Sequence, residues 1–247
     1  MTISSEPLPL LFATVLLDPP GHRTARQLGK TQISSLLRFF FNGEIIVWRN
    51  FPEIFYPVGR VGVHEFDFVP SSPLKKDADL GEIALKAKLQ LAESLVEHAH
   101  RYSWIILADH DVLTLRNLDH LFENHDADLL VSQRKDGTFN EGFFAINSSH
   151  YSRFLDAWKV PKILPSRGAP NFLQAIIDSK EFSTKTFDCG EVVSPFADQC
   201  PVRDIMAAAI VGLAGGTATE KTKLSFALHM MRTFGDEDGV FLDLMGS

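Results

Sequence analysis

The chain has 247 residues, 45% of them hydrophobic, and a formal net charge of −7 at pH 7. This length allows one large domain or two small ones, and the apolar content allows a sizeable core. Because an acidic chain lacks the basic face that non-specific nucleic-acid binding requires, we expect no nucleic-acid partner.

Two features of the sequence bear on the cellular compartment. The apolar run at residues 8–17 is too short to span a bilayer, and no basic segment precedes it, so we predict no transmembrane segment. Cys189 and Cys200 lack zinc-type spacing with other ligands. These features favour a reduced, cytoplasmic protein, and a single disulfide between the two cysteines stays open.

The first half of the chain alternates predicted strands and helices. Residues 11–17 are a continuous apolar run typical of a buried strand, and residues 24–41 have the loose apolar period of a helix. Residues 44–48 predict a second strand and residues 61–69 a third. The clearest helix covers residues 80–101, where an apolar stripe lies opposite a charged face. This alternation predicts an α/β layer fold.

Residues 104–108 read Trp-Ile-Ile-Leu-Ala and are all apolar or small, without alternation. That pattern is typical of a strand covered on both faces, as in a parallel sheet. A helix followed by such a strand is half of a βαβ unit.

The second half continues the alternation without a linker that divides the chain. We therefore predict a single α/β domain over residues 1–247, with a mixed central sheet flanked by helices. The predicted elements are a short helix at 113–124, strands at 128–134 and 143–147 joined by a hairpin-like turn, and helices at 148–160, 171–179 and 204–215.

Asp109 and Asp111 follow the buried strand directly. In open α/β sheets, ligands bind outside the carboxyl ends of the strands, and residues two apart in a strand share a face. Two close carboxylates raise each other's pKa unless a cation lies near them, and Mg²⁺ or Mn²⁺ binds one or two carboxylates together with substrate phosphates. The pair therefore predicts a metal and diphosphate site, and a solvated strand-to-loop corner is the alternative.

These residues resemble a known family. An apolar strand, Asp-x-Asp, the run "VLTLRNLDHLF" and the later step "NEGFF" are similar to the nucleotide-diphospho-sugar transferases of the GT-A fold, with the glycogenin-like and galactosyltransferase-like branches nearest. The resemblance covers residues 84–147. It implies a GT-A glycosyltransferase that moves a hexosyl or related group from a UDP- or GDP-sugar to an unknown acceptor.

The resemblance also implies a metal centre. Asp111 would ligate Mn²⁺ or Mg²⁺, and Asp109 would bind the metal or the ribose. The metal would act as a Lewis acid on the leaving diphosphate. His229, in the C-terminal part, would be the third ligand, and Lys223 or Arg232 would contact phosphate.

Asn140, Glu141 and Gly142 would face the sugar and the acceptor, since they match the family's Asn-x-Gly step. Glu141 is the expected general base or hydroxyl-binding carboxylate, with Asn140 beside it. A glycine at 142 allows close approach of the backbone.

A basic residue on the helix at 80–101 would approach the sugar nucleotide. Lys88 is the predicted residue, because Lys86 belongs to the charged face of that helix. The end of the first strand, residues 14–18, would hold the nucleoside base.

Two other classes of protein remain open. Haloacid-dehalogenase-like phosphatases also place Asp-x-Asp after an apolar strand, with one carboxylate as nucleophile and one as acid or base. Leu113 stands where that family has Thr or Val, and Thr114 comes one residue late. A catalytically inactive GT-A-like binding or scaffold protein is the second alternative.

Overall fold

A computed structural model describes residues 9–17, 23–39, 42–51, 62–67, 80–123, 125–160, 171–188, 190–213 and 218–235. The strands are β1 (Leu10–Leu16), β2 (Gly43–Arg49), β3 (Gly62–Asp67), β4 (Trp104–Ala108), β5 (Val112–Thr114), β6 (Leu129–Gln133), β7 (Phe139–Asn147), β8 (Thr184–Thr186), β9 (Val192–Val193) and β10 (Ile210–Gly212). The α-helices are α1 (Arg23–Phe39), α2 (Leu80–Ser94), α3 (Tyr151–Trp158), α4 (Phe172–Asp178), α5 (Pro195–Asp198), α6 (Val202–Ala207) and α7 (Glu220–Gly235).

Seven strands form one mixed sheet in the order β3-β2-β1-β4-β7-β6-β8. Neighbouring strands are parallel except that β7 runs antiparallel to both β4 and β6. The chain leaves β1 toward β2 and β3 on one side and returns to β4 on the other. The topological switch point therefore lies between β1 and β4, where open α/β sheets place their ligands.

Strands β1 and β4 are buried on both faces because helices cover each side of the sheet. Phe12 and Ile106 pack with Ile33 of α1 in one core cluster. Ala13 and Leu107 pack with residues of α2, α3 and α4 in a second cluster. The unbroken apolar pattern of residues 104–108 is thereby explained, and the predicted strand is confirmed.

A second, three-stranded sheet in the order β5-β10-β9 corrects two predictions. The helix predicted at 113–124 is wrong, since residues 113–123, which the structure describes, contain part of strand β5 and a single short 3₁₀ turn, Asp119–Leu121. The helix predicted at 204–215 is also wrong beyond α6, because Ile210–Gly212 pairs with β5. Strands β5 and β10 are buried and largely apolar, and a third core cluster packs them against α7 and α1.

The other predicted elements are confirmed with adjusted ends. The helix predicted at 80–101 is α2 followed by turns and a 3₁₀ helix, Ala99–Arg101. The hairpin of β6 and β7 and the helices α3 and α4 lie where they are expected. In the described part of the chain, no helix is both long and apolar enough to cross a membrane.

Candidate functional site

The two predicted carboxylates lie in a tight turn at the carboxyl end of β4. The Asp109 N–H donates to the Gly142 carbonyl at 2.8 Å, which continues the pairing of β4 with β7. The Val112 N–H then donates back to the Asp109 carbonyl at 3.2 Å. Residues 109–111, here the acidic turn, are therefore not extended strand. The expectation that strand alternation places both carboxylates on one face does not apply.

Helix α1 holds the start of the acidic turn and the end of the following strand β5 through Gln32 and Ser35, here the α1 clamp. The Gln32 amide donates to the Asp109 carbonyl, and its oxygen accepts from the Thr14 hydroxyl at 3.1 Å. The Ser35 hydroxyl accepts from the Thr114 N–H at 3.1 Å and donates to the Gln32 carbonyl at 2.7 Å. The clamp residues are fully buried, so these bonds form away from water and fix the turn before any ligand binds.

Asp109 forms an ion pair with Lys88, which reaches it from α2. The same ammonium group donates to the Glu141 carbonyl at 2.9 Å. Lys88 is 3% exposed, whereas Lys86 lies on the exposed face, so the choice of Lys88 as the inward-facing lysine is correct. Its predicted contact with a sugar nucleotide stays a prediction.

Asp111 forms its ion pair with Lys223, 112 residues away in the sequence, at 3.0 Å. Asp111 is 4% exposed, and its carbonyl accepts from the Leu213 N–H at 2.9 Å. Its second carboxylate oxygen, Oδ1, is buried and has no hydrogen-bond partner in the described structure. A buried carboxylate oxygen without a donor is costly, so this atom is available to a cation.

Two carboxylates one residue apart are thus tolerated because each has its own lysine. Lys88 and Lys223 bring two positive charges from different helices to two negative ones. Removing Asp109 would leave the buried Lys88 unpaired, and removing Lys223 would leave the buried Asp111 unpaired. An uncompensated buried charge typically costs about 3–5 kcal/mol. The acidic turn is therefore electrically balanced at the switch point of the sheet, with Asp111 buried and Asp109 partly exposed.

Asn140 and Gly142 lie against the acidic turn at the start of β7. The Asn140 side-chain oxygen accepts from the Gly142 N–H at 3.0 Å, and Asn140 is buried. A Cβ atom at position 142 would lie 2.9 Å from Asp109 Oδ2 and 3.1 Å from Asn140 Oδ1. Position 142 therefore requires glycine for close approach, as the sequence predicted.

The Glu141 side chain points toward the start of α4. Its carboxylate accepts from the Phe172 N–H in the first turn of that helix. Burial raises the pKa of the Glu141 carboxyl, and the Phe172 N–H and the Lys88 ammonium partly offset the effect. One oxygen thus has a structural role, and the predicted role as a general base stays a prediction.

The C-terminal helix α7 brings Lys223, but not His229, to the acidic turn. His229 lies six residues further along the helix, which corresponds to about 9 Å and more than one and a half turns. Among the described residues, no three or more His, Cys, Asp or Glu side chains group as metal ligands. A metal-binding role for His229 stays a prediction, and so does a phosphate contact for Arg232, which is exposed.

The remaining predicted position is the end of the first strand. Thr14 is fully buried and contacts the α1 clamp, whereas Asp18 lies outside the described residues. The clamp itself was not predicted. Its signal in the sequence is the presence of polar residues, Gln32 and Ser35, within the apolar stripe of α1.

Comparison with known proteins gives a fold but no sequence family. No protein-family model matches the chain, and no curated protein sequence matches it. Among solved structures, a glycosyltransferase involved in the glycosylation of the major capsid of PBCV-1 aligns over 90% of this chain and 99% of its own, at 8% identity and a TM-score of 0.59. The glycosyltransferase GlyE of Streptococcus pneumoniae TIGR4 aligns over 91% of this chain at 11% identity and a TM-score of 0.56.

The chain has a GT-A glycosyltransferase fold. The apo form of GlyE aligns equally well, over 92% of this chain at 10% identity and a TM-score of 0.57. The chain spans 63% of the length of GlyE. The predicted fold class is therefore confirmed, and the acidic turn lies at the edge of the sheet where this α/β architecture binds ligands.

Proposed function

We propose that the protein is a glycosyltransferase that uses a nucleotide-diphospho-sugar donor and a divalent cation. The observation that carries the proposal is the acidic turn at the switch point of a glycosyltransferase fold, with the buried Asp111 Oδ1 left without a partner among the described residues. The acceptor is unassigned.

The carboxylate oxygens of the acidic turn are donors of the type that a hard divalent cation such as Mn²⁺ or Mg²⁺ prefers. Such ions bind oxygen ligands and commonly take one or two carboxylates, completing their shell with substrate phosphates and water. Asp111 would supply Oδ1, and Asp109 would supply Oδ2, beside which Gly142 has no side chain. When bound, the cation would stabilise the negative charge of the leaving diphosphate.

The residues of the chain itself would orient the donor and the acceptor. Lys88 is paired with the Asp109 carboxylate and would add positive charge near a bound diphosphate. Asn140 fixes the backbone at the start of β7. Glu141, with its raised pKa, is the candidate that accepts a proton from the acceptor hydroxyl.

Isothermal titration calorimetry with UDP and GDP, each with and without Mn²⁺, tests the donor and the cation together. We expect Mn²⁺-dependent binding of one nucleotide, and we expect Asp111→Asn to weaken it by at least about tenfold, or 1.4 kcal/mol. Asp126→Asn, which removes an exposed carboxylate elsewhere, is the matched control and should bind as the wild type does.

Several outcomes separate the proposal from the alternatives. If neither nucleotide binds, the proposed nucleotide-diphospho-sugar donor is refuted. If a nucleotide binds equally well without Mn²⁺, only the requirement for a divalent cation is refuted. Hydrolysis of p-nitrophenyl phosphate would favour the phosphatase. Slow hydrolysis of a nucleotide-sugar, measured by chromatography, would indicate a transferase, and its absence would indicate an inactive binding protein.

A further inference from the structure

The two lysines that neutralise the acidic turn are held differently. Lys88 lies in the middle of α2, its side chain is 4% exposed, and its ammonium group bonds to both the Asp109 carboxylate and the Glu141 carbonyl. Lys223 lies in the first turn of α7, and its side chain is 12% exposed. The Lys88 side chain is thus more enclosed than that of Lys223, whereas the carboxylate paired with Lys223 is the more buried of the two, 5% exposed against 34%.

Helix α7 does not depend on Lys223 for its position. Ala227, Met230 and Met231 of α7 are buried, and α7 packs against α1 and the small sheet through the third core cluster. A change in the contacts of the Lys223 side chain therefore need not displace the helix, because lysine has a flexible four-carbon stem.

Lys223 and a divalent cation would share one carboxylate. Lys223 contacts Asp111 Oδ2, and Oδ1 of the same group is the atom without a partner among the described residues. A monovalent and a divalent cation a few ångströms apart repel each other strongly when they are shielded from water. Occupation of Oδ1 by a divalent cation therefore disfavours the ammonium group at Oδ2.

We propose that Lys223 is an exchangeable internal counter-ion: it pairs with Asp111 when no divalent cation is bound and competes with that cation for the carboxylate. This inference rests on the cation site of the proposed function. It assigns Lys223 a regulatory role, because the lysine balances the negative charge of the buried Asp111 carboxylate between turnovers and limits the affinity of the site for the metal alone.

The competition is tested by titrating the protein with Mn²⁺ in the absence of nucleotide and measuring the free ion by electron paramagnetic resonance. We expect Lys223→Met to bind Mn²⁺ more tightly than the wild type by about tenfold or more, since even in bulk water the charge repulsion over a few ångströms is of that size. Lys223→Arg should bind no more tightly than the wild type, because arginine keeps the charge and can engage both carboxylate oxygens. Lys221→Met, which removes an exposed lysine from the same helix turn, should leave the affinity unchanged.

Equal or weaker Mn²⁺ binding by Lys223→Met would overturn the inference, as would no binding by any variant or tighter binding by Lys223→Arg. If Lys223→Met is poorly folded without metal, its thermal midpoint should rise more with added Mn²⁺ than that of the wild type. A Lys223→Met/Asp111→Asn variant should lose that extra rise, and a rise that persists would also overturn the inference. Titration of the wild type with UDP and GDP in the presence of Mn²⁺ tests the proposed function separately. The Mn²⁺ affinities of the wild type and the Lys223 variants are compared without nucleotide, so the two results are independent.

Discussion

A methyl group added at position 142 is expected to disrupt the acidic turn. In Gly142→Ala, the new Cβ would lie 2.9 Å from Asp109 Oδ2 and 3.1 Å from Asn140 Oδ1, where ordinary contact begins at 3.4 Å. Neither oxygen can move freely, because Asp109 is paired with Lys88 and Asn140 is bonded to the Gly142 N–H. The strain therefore has to be absorbed by the ion pair or by the strand.

The size of the effect follows from two opposing terms. Overpacking of a buried site costs about 1–3 kcal/mol. Replacement of glycine by alanine returns about 0.4–1 kcal/mol by reducing the freedom of the unfolded chain. We expect Gly142→Ala to lower the free energy of unfolding in urea by about 1–2 kcal/mol and to weaken Mn²⁺-dependent nucleotide binding, because Asp109 must shift.

Gly62→Ala is the matched control, since a Cβ there would meet its nearest atom at 3.6 Å, an ordinary contact. It should be neutral or slightly stabilising. In a Lys88→Met/Asp109→Ala background the main clash is absent, so the cost of Gly142→Ala should fall by at least about half. An undiminished cost in that background, or a Gly142→Ala protein as stable as Gly62→Ala, would refute the packing argument.

Two further predictions concern the α1 clamp and Glu141. Gln32→Leu should lower the free energy of unfolding by about 1–3 kcal/mol, because it removes a hydrogen bond to the Asp109 carbonyl. The control Thr31→Val, which removes a hydrogen bond within the same helix, should lower it by less. Equal urea midpoints for the two variants would contradict the proposed role of the α1 clamp. Because the pKa of Glu141 is raised in the folded protein, the stability it contributes is present below its ordinary value of 4.5 and is lost as the pH rises through the folded value. The unfolding free energy of the wild type relative to Glu141→Gln should therefore fall as the pH rises above 4.5, and a flat or rising difference in urea titrations across this range would show the sign to be wrong.

The central sheet could be predicted from local pattern because its strands are covered on both faces. An unbroken apolar run such as residues 104–108 has few alternative interpretations when a long amphipathic helix precedes it. The two wrong helices, at 113–124 and 204–215, share one cause. Strands β5 and β10 pair with each other across about a hundred positions, and short apolar runs do not distinguish helix from strand by periodicity.

The candidate site was predictable in its residue types but not in its pairings. Asp109, Asp111, Asn140 and Gly142 follow recognisable local patterns near strand ends. The partner of Asp111 is a lysine on the last described helix, and nothing in the local sequence of either residue specifies that contact. The α1 clamp was unpredictable for the same reason, because the role of its polar residues depends on tertiary contacts with distant parts of the chain.

The reversed direction of β7 has a consequence for how this protein can diverge. Because β7 enters the sheet at the edge where β4 leaves it, the exposed hairpin tip at residues 135–137 lies over the same rim as the acidic turn. No described atom lies within 4 Å of a Cβ built at Gly137, but its φ of +87° favours glycine, so the tip has room to lengthen beside Gly137 rather than to replace it. The rim of the sheet beside the acidic turn can therefore be remodelled by insertions in this loop while the register of the two strands beneath it is left untouched.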